Sequence, residues 1–125
     1  MRPLGQLEAT VMERLWASES SVAVRGVLVD LQKERAIAYT TVMTVLDNLH
    51  RKGMVTREKA GRAYRYRPAY TREEHTAALM EQVLDGSGDR GAALIHFVEQ
   101  MPPDEIRRLR QALEGFEPEA GGDSR

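Results

Sequence analysis

Thr41, Thr44, Asn48 and Arg51 recur at spacings of three, four and three. That interval places side chains on one face of an α-helix. Their chemistry is graded along the face. Two short hydroxyls stand at its N-terminal end, where phosphates and base edges can approach closely. An amide able to pair with a base edge follows, and a guanidinium at the far end can reach a phosphate. Tyr39 and Thr40 sit where such a helix begins, and its positive end favours an anion there. Thr40 has a rival role as the N-cap. Immediately downstream, Arg51, Lys52, Arg57, Lys59, Arg62, Arg65 and Arg67 are set against a single acid, Glu58. A polar helix face followed by a basic segment suits duplex DNA. A solvated basic hairpin on an ordinary domain is the alternative.

The elements that must position these residues follow from the apolar pattern. Leu4, Leu7, Val11 and Leu15, widened by Met12 and Trp16, mark a first amphipathic helix. A polar loop over residues 18–21 and a very short strand at 22–24 come next. A second helix is predicted from about 24 to 35, with Val27, Leu28 and Leu31 buried. The third opens at Tyr39 and turns Val42, Val45, Leu46 and Leu49 inward, which leaves the Thr41–Thr44–Asn48–Arg51 face outward. Lys52-Gly53 ends it, with Gly53 suited to the left-handed position after the cap. Two β-prone runs, 54–58 and 63–67, flank Ala60-Gly61-Arg62 and read as a hairpin. Tyr64 and Tyr66 share one strand face and are expected to pack inward, with Arg65 and Arg67 opposite and Arg62 near the tip. Three helices and a basic hairpin in this order make a winged helix-turn-helix, whose third helix enters the major groove while the hairpin reaches the neighbouring backbone.

A second region starts at Thr71, which has capping-box spacing to Glu74. Helices are predicted through Leu79, Val83 and Leu84 to about Gly86, over about 89–100 with Leu94, Ile95, Phe97 and Val98 apolar, and from Pro103 with Ile106, Leu109 and Leu113 as its stripe. Three short amphipathic helices after a complete winged domain suit a subunit interface. Leu79, Val83, Leu94, Phe97, Val98, Ile106, Leu109 and Leu113 are its candidate residues, and folding back on the first domain is the alternative. The organisation expected is therefore a mainly α chain with a small β hairpin: residues 1–70 a winged-helix DNA-binding domain, 71–114 a helical dimerisation region and 115–125 a disordered tail.

Totals are consistent with this reading. The 125 residues carry a net charge of −1, but residues 1–67 hold 12 Lys/Arg against 7 Asp/Glu and residues 68–125 hold 6 against 12. A basic front and an acidic back suggest that only the front faces a polyanion. There is no cysteine, which excludes disulfides and thiolate metal sites. No apolar run approaches a membrane span and no signal-peptide shape is present, so membrane insertion is not expected and a cytoplasmic location is. His50, His75 and His96 show no ligand spacing. No cofactor is expected, and no enzyme signature is found.

Several stretches together resemble the penicillinase-repressor (BlaI/MecI/CopY) family, its actinobacterial BlaI branch above all. They are Tyr39-Thr40-Thr41-Val42-Met43-Thr44-Val45-Leu46-Asp47-Asn48-Leu49, then Lys52-Gly53-Met54-Val55, then Gly61-Arg62-Ala63-Tyr64-Arg65-Tyr66 with Pro68. Leu4 to Trp16 is similar to that family's first helix, and Phe97-Val98-Glu99 with Asp104-Glu105-Ile106 and Leu109-Arg110 to its dimerisation end. The likeness spans about residues 4–114. It implies a homodimer held by the C-terminal helices, a palindromic operator with TACA/TGTA-like half-sites and control of β-lactamase or related genes. In the BlaI and MecI branch it also implies a membrane sensor protease and cleavage near an Asn-Phe bond. The matching bond here joins His96 and Phe97, so the Asn is replaced. The copper-responsive branch uses a C-terminal cysteine cluster, which this chain lacks. Ala23 stands where the family often has a capping Thr, and Gly26 lies inside the second helix; each is expected to weaken that helix by roughly 1 kcal/mol. A winged-helix protein–protein module without DNA binding is the alternative function.

Overall fold

The computed structural model describes residues 4–116. Six helices and three strands run in the order α1 (Gln6–Ala17), β1 (Val22–Ala23), α2 (Val24–Gln32), α3 (Tyr39–Arg51), β2 (Val55–Ala60), β3 (Ala63–Pro68), α4 (Arg72–Asp85), α5 (Arg90–Glu99) and α6 (Pro103–Glu114) among those residues. The protein is mainly helical with a small antiparallel sheet of order β1-β3-β2, a winged-helix arrangement. The described residues divide into two compact units between Glu81 and Gln82, within α4. Most of the expected tail, residues 117–125, lies outside the described residues.

The first unit is organised by burial of apolar stripes. Val11, Met12 and Leu15 of α1, Val24, Val27, Leu28 and Leu31 of α2, and Val42, Val45, Leu46 and Leu49 of α3 form one core, completed by Met54, Val55 and Tyr66. The second helix stops at Gln32, three residues before its predicted end. Leu31 is its last core residue, and the Leu31 carbonyl already accepts from Glu34 (3.0 Å) and Arg35 (3.1 Å), so the chain leaves by a turn. The N-cap of this helix is Ala23, which has extended backbone and no side-chain cap.

The end of α3 aims the chain into the hairpin. Gly53 takes φ 79°. Its N–H donates to the His50 carbonyl (3.0 Å) and the Met54 N–H to that of Leu49 (2.9 Å). This pair of bonds is a Schellman turn, with its usual apolar closure supplied by the buried Leu49 and Met54. Met54 is thereby used in the turn, and β2 begins one residue later than predicted. The strands pair from Val55↔Pro68 to Ala60↔Ala63, so only Gly61 and Arg62 form the loop. Gly61 has φ 68° and Arg62 is not in the left-handed region, the pattern of a type II′ turn. A positive φ at a glycine lets the hairpin close tighter than the three-residue loop expected.

Of the two tyrosines expected to pack inward, Tyr66 is buried but Tyr64 is 37% exposed. They share a face, yet Tyr64 pairs with Lys59 one step from the loop end, beyond the reach of the helical core.

At the start of α4 the Thr71 hydroxyl accepts from the Glu74 N–H (3.0 Å) and the Glu74 carboxylate from the Thr71 N–H (2.8 Å), a complete capping box. Trp16 fixes this start from α1, donating from Nε1 to the Tyr70 carbonyl (2.8 Å) while its ring lies 5.6 Å from that of the buried His75. In the second unit Asp89 caps α5 by accepting from the Ala92 N–H (3.1 Å), and Pro103 occupies the first turn of α6.

The uncapped α2 makes a direct prediction. Ala23→Ser supplies an acceptor for a free N–H of the first turn and should raise stability by about 1 kcal/mol, read as a higher urea midpoint. Gly26→Ala should gain less than its helix propensity, because its Cβ would meet Val22 Cγ1 at 3.1 Å. Equal stability of wild type and Ala23→Ser would mean that those N–H groups are already satisfied.

Candidate nucleic-acid interface

The outward side of α3 carries the polar residues that the apolar stripe leaves over. Thr40, Thr41, Thr44 and Arg51 are exposed and Asn48 is half-buried, while Val42, Leu46 and Leu49 are fully buried behind them. Tyr39 is exposed at the N-terminal end, with the Arg25 guanidinium 5.6 Å from its ring centre. The helix begins at Tyr39 with Ala38 as N-cap and no side-chain cap. Thr40 is therefore inside the helix, and the rival N-cap role considered for it does not arise.

The basic residues fall into two classes by what they touch. Lys52 is committed to the body of the domain. Its Nζ lies 2.7 Å from the Glu8 carboxylate, which also accepts from the Gly5 N–H (2.8 Å). Both partners are largely buried, so this ion pair joins the end of α3 to the start of α1. Arg65 donates from Nε to the Ser21 hydroxyl (3.0 Å) and from a terminal nitrogen to the Ser21 carbonyl (2.6 Å). These bonds tie β3 to the loop before β1, and the remaining donors of its exposed fork are left for another acceptor. Arg57 reaches back to α3, donating to Asp47 at 3.0 Å.

The second class makes no ion pair or side-chain hydrogen bond among the described residues. It comprises Arg51, Lys59, Arg62 and Arg67, all exposed. Arg51 ends the polar face of α3 and Arg62 sits at the hairpin tip. A groove between helix and hairpin is lined by Tyr39, Met43, Thr44 and Asp47 on one side and by Arg57, Arg62 and Tyr64 on the other. Thr44 and Arg62 are thus neighbours across the groove. Cations without internal partners are the ones able to neutralise an external anion.

The Arg57 guanidinium lies 4.2 Å from the centre of the Tyr64 ring and 3.5 Å from the Tyr66 hydroxyl. The Tyr66 hydroxyl most, and Asp47 after it, outweigh the opposing desolvation and hold Arg57 above the ordinary guanidinium pKa.

Sequence reasoning singled out the α3 face and the basic run but missed two features. Arg25 was not a candidate, because its nearness to Tyr39 depends on how α2 packs on α3. The pairing of Asp47 with Arg57 was also unforeseen; the residues are ten positions apart in different kinds of element.

The interface candidates of the second region are largely uncovered. Val83 is 73% exposed, Leu113 61% and Phe97 56%. Leu94, Val98 and Leu109 are exposed too, and Leu79 and Ile106 are half-buried. No described residue of α5 or α6 is buried. Phe97, Met101 and Leu109 line a shallow groove between these helices with Glu105 and Arg108. His96 and Phe97 both lie within α5, and the His96 Nδ1 is 3.9 Å from the Glu99 carboxylate.

Residues 4–115 match the sequence profile of the penicillinase repressor family. The chain is 46% identical over 117 residues to the transcriptional regulator BlaI of Mycobacterium tuberculosis, covering 91% of this chain and 85% of that protein. It is 27% identical over 115 residues to the penicillinase repressor of Bacillus licheniformis, covering 89% of each. Among solved structures it is similar to the solution structure of the DNA-binding domain of the repressor BlaI, with a TM-score of 0.52 and 27% identity. That match covers 59% of this chain and 93% of the other.

Proposed function

This chain belongs to the penicillinase repressor family, and from that premise we propose that it is a homodimeric repressor of β-lactamase-type genes that binds a palindromic operator. The family consists of DNA-binding transcriptional repressors with a winged-helix fold and is not one of enzymes. The observation that carries the reading is the juxtaposition of an outward polar face on α3, exposed except at the half-buried Asn48, with cations that have no internal partner, Arg51 at its end and Arg62 across the groove.

In this reading α3 lies in the major groove. Thr41 and Thr44 approach phosphates or base edges, Asn48 reads a base edge, and Tyr39 and Thr40 bind phosphate at the positive end of the helix. Arg51 grips the backbone at the other end and Arg62 holds the adjacent strand from the hairpin tip. Arg65 contributes through the donors not spent on Ser21. Lys52 acts through the field of its charge and by holding the helix end to Glu8.

The second region supplies the symmetry. Leu79, Val83, Leu94, Phe97, Val98, Ile106, Leu109 and Leu113 form the dimer interface in this proposal, because apolar surface of this extent is best buried against its own copy. A two-fold dimer presents two copies of α3 to half-sites separated by one or more helical turns, about 34 Å each. The functional partition is then residues 1–70 for DNA and 71–114 for dimerisation, and operator binding places the protein in the cytoplasm.

Release is proposed to be proteolytic, triggered by a membrane sensor protease, at the bond between His96 and Phe97. Proteases take extended chain, so α5 must unwind there. In a protomer free of its partner, α5 has no buried residue and can open locally at small cost. Among the described residues no helix is long and apolar enough to cross a membrane, so the sensor is a separate protein in this scheme.

Binding to random and operator duplex over a range of salt tests the DNA assignment. Arg62→Ala should weaken both equally and lower the salt slope by about 0.9 per subunit; an unchanged slope would remove the hairpin tip from the interface. Asn48→Ala should reduce operator affinity by about 1–3 kcal/mol with little loss on random duplex, and equal losses would make Asn48 a positioning contact. Leu109→Asp buries an uncompensated charge in the proposed interface, so sedimentation should show monomer; a persisting tight dimer would displace the interface from α6.

A further inference from the structure

We propose that Asp47 and Arg57 are positioning residues for sequence discrimination: the pair locks the hairpin to the recognition helix, so that backbone contacts from one and base contacts from the other fall in a single register. The proposal rests on the DNA-binding reading above and adds to it a function for two residues that would touch no base.

The geometry singles out Arg57 from the other hairpin cations. It projects from β2 toward α3, on the strand face that also carries Tyr64 and Tyr66. Its guanidinium meets three groups at once: the Asp47 carboxylate of α3 at 3.0 Å, the Tyr66 hydroxyl at 3.5 Å and the face of Tyr64 with its centre 4.2 Å away. Only 23% of the side chain is exposed. A planar fork held by a carboxylate, a hydroxyl and a ring has little freedom to turn toward a phosphate.

Asp47 needs the same contact for a different reason. It lies one position before Asn48, on the wing-facing edge of α3 that borders the groove with Tyr39, Met43 and Thr44. A bare carboxylate there would repel a polyanion. Arg57 neutralises it, and the cost of placing an acid at the interface is repaid by a fixed distance between two reading elements. At the other edge of the hairpin Arg65 of β3 is bonded to Ser21 in the loop before β1, so its strands are tied on both sides while the loop residues Gly61 and Arg62 project beyond them.

The two variants have opposite effects on charge and the same effect on register. Arg57→Met removes a cation that touches no phosphate but bares the Asp47 carboxylate, so binding to random duplex should weaken while the salt slope falls by clearly less than the about 0.9 of a lost phosphate contact. Asp47→Ala frees a cation, so the slope should steepen by up to about 0.9. In both, the ratio of operator to random-duplex affinity should fall about tenfold, the size of one misread base pair. The operator probe is the genomic fragment that wild type selects. Exchanging the charges, Asp47→Arg with Arg57→Asp, should recover most of the ratio. Melting of each variant is compared with wild type, and Arg57→Lys, which keeps the charge and stem but not the fork, replaces Arg57→Met should the latter unfold.

A slope reduced by about 0.9 with an unchanged ratio would make Arg57 an ordinary phosphate contact and overturn the proposal. An unchanged ratio in both single variants, or no recovery on charge exchange, would overturn it equally. Failure of wild type to bind random duplex at low salt would instead bring down the DNA-binding reading itself.

Discussion

Burial of one side of α3 is the constraint from which the rest follows. Val42, Leu46 and Leu49 have no exposed surface, and Val45 retains 8%. Each such side chain contributes on the order of 1.5–3 kcal/mol when removed from water. The helix therefore has one rotational setting, and that setting turns the Thr41, Thr44 and Arg51 side outward. The same stripe ends at Leu49, whose carbonyl accepts from Met54 in the turn that sends the chain into the hairpin. The groove-facing helix and the arginine-bearing loop are thus set by one packing solution rather than by two independent ones.

Charge is used in two distinct ways around this frame. Glu8 with Lys52 and Asp47 with Arg57 join elements to each other, and Arg65 does the same through Ser21. A partly exposed pair such as Asp47 with Arg57 adds little stability, about 0–1 kcal/mol, and in the largely buried Glu8–Lys52 pair the attraction is offset by desolvation. Their effect is on direction: they consume donors and fix orientations. What they leave unconsumed is a small set of cations at the end of α3 and along the hairpin. The overall charge of −1 conceals this, because 12 of the 19 acids fall in residues 68–125.

The C-terminal helices show the opposite balance between sequence and burial. Leu94, Ile95, Phe97 and Val98 make α5 as apolar as a core helix and Ile106, Leu109 and Leu113 give α6 a narrower stripe, yet no described side chain of α5 or α6 is buried. An isolated stripe of this sort gains its stabilisation only from a second surface. The same lack of internal packing leaves α5 easy to open.

The sequence alone determined the local events. The third helix, its buried stripe, the glycine at its end, the Thr71–Glu74 cap and the proline opening α6 were all readable, because each depends on spacings of three or four residues or on the backbone freedom of one residue type. The two-residue hairpin loop was not, since a positive φ at Gly61 alone does not say how many residues pair. Nor was the exposure of Tyr64, which shares a strand face with the buried Tyr66 but lies past the edge of the helices beneath. Most of all, the sorting of seven nearby cations into struts and free charges was invisible. Arg57, Lys52 and Arg65 look like Arg62 in the chain. Only the fold brings Asp47, Glu8 and Ser21 within about 3 Å of them, because an ion pair across elements is decided by where the core places two backbones, not by any pattern along one.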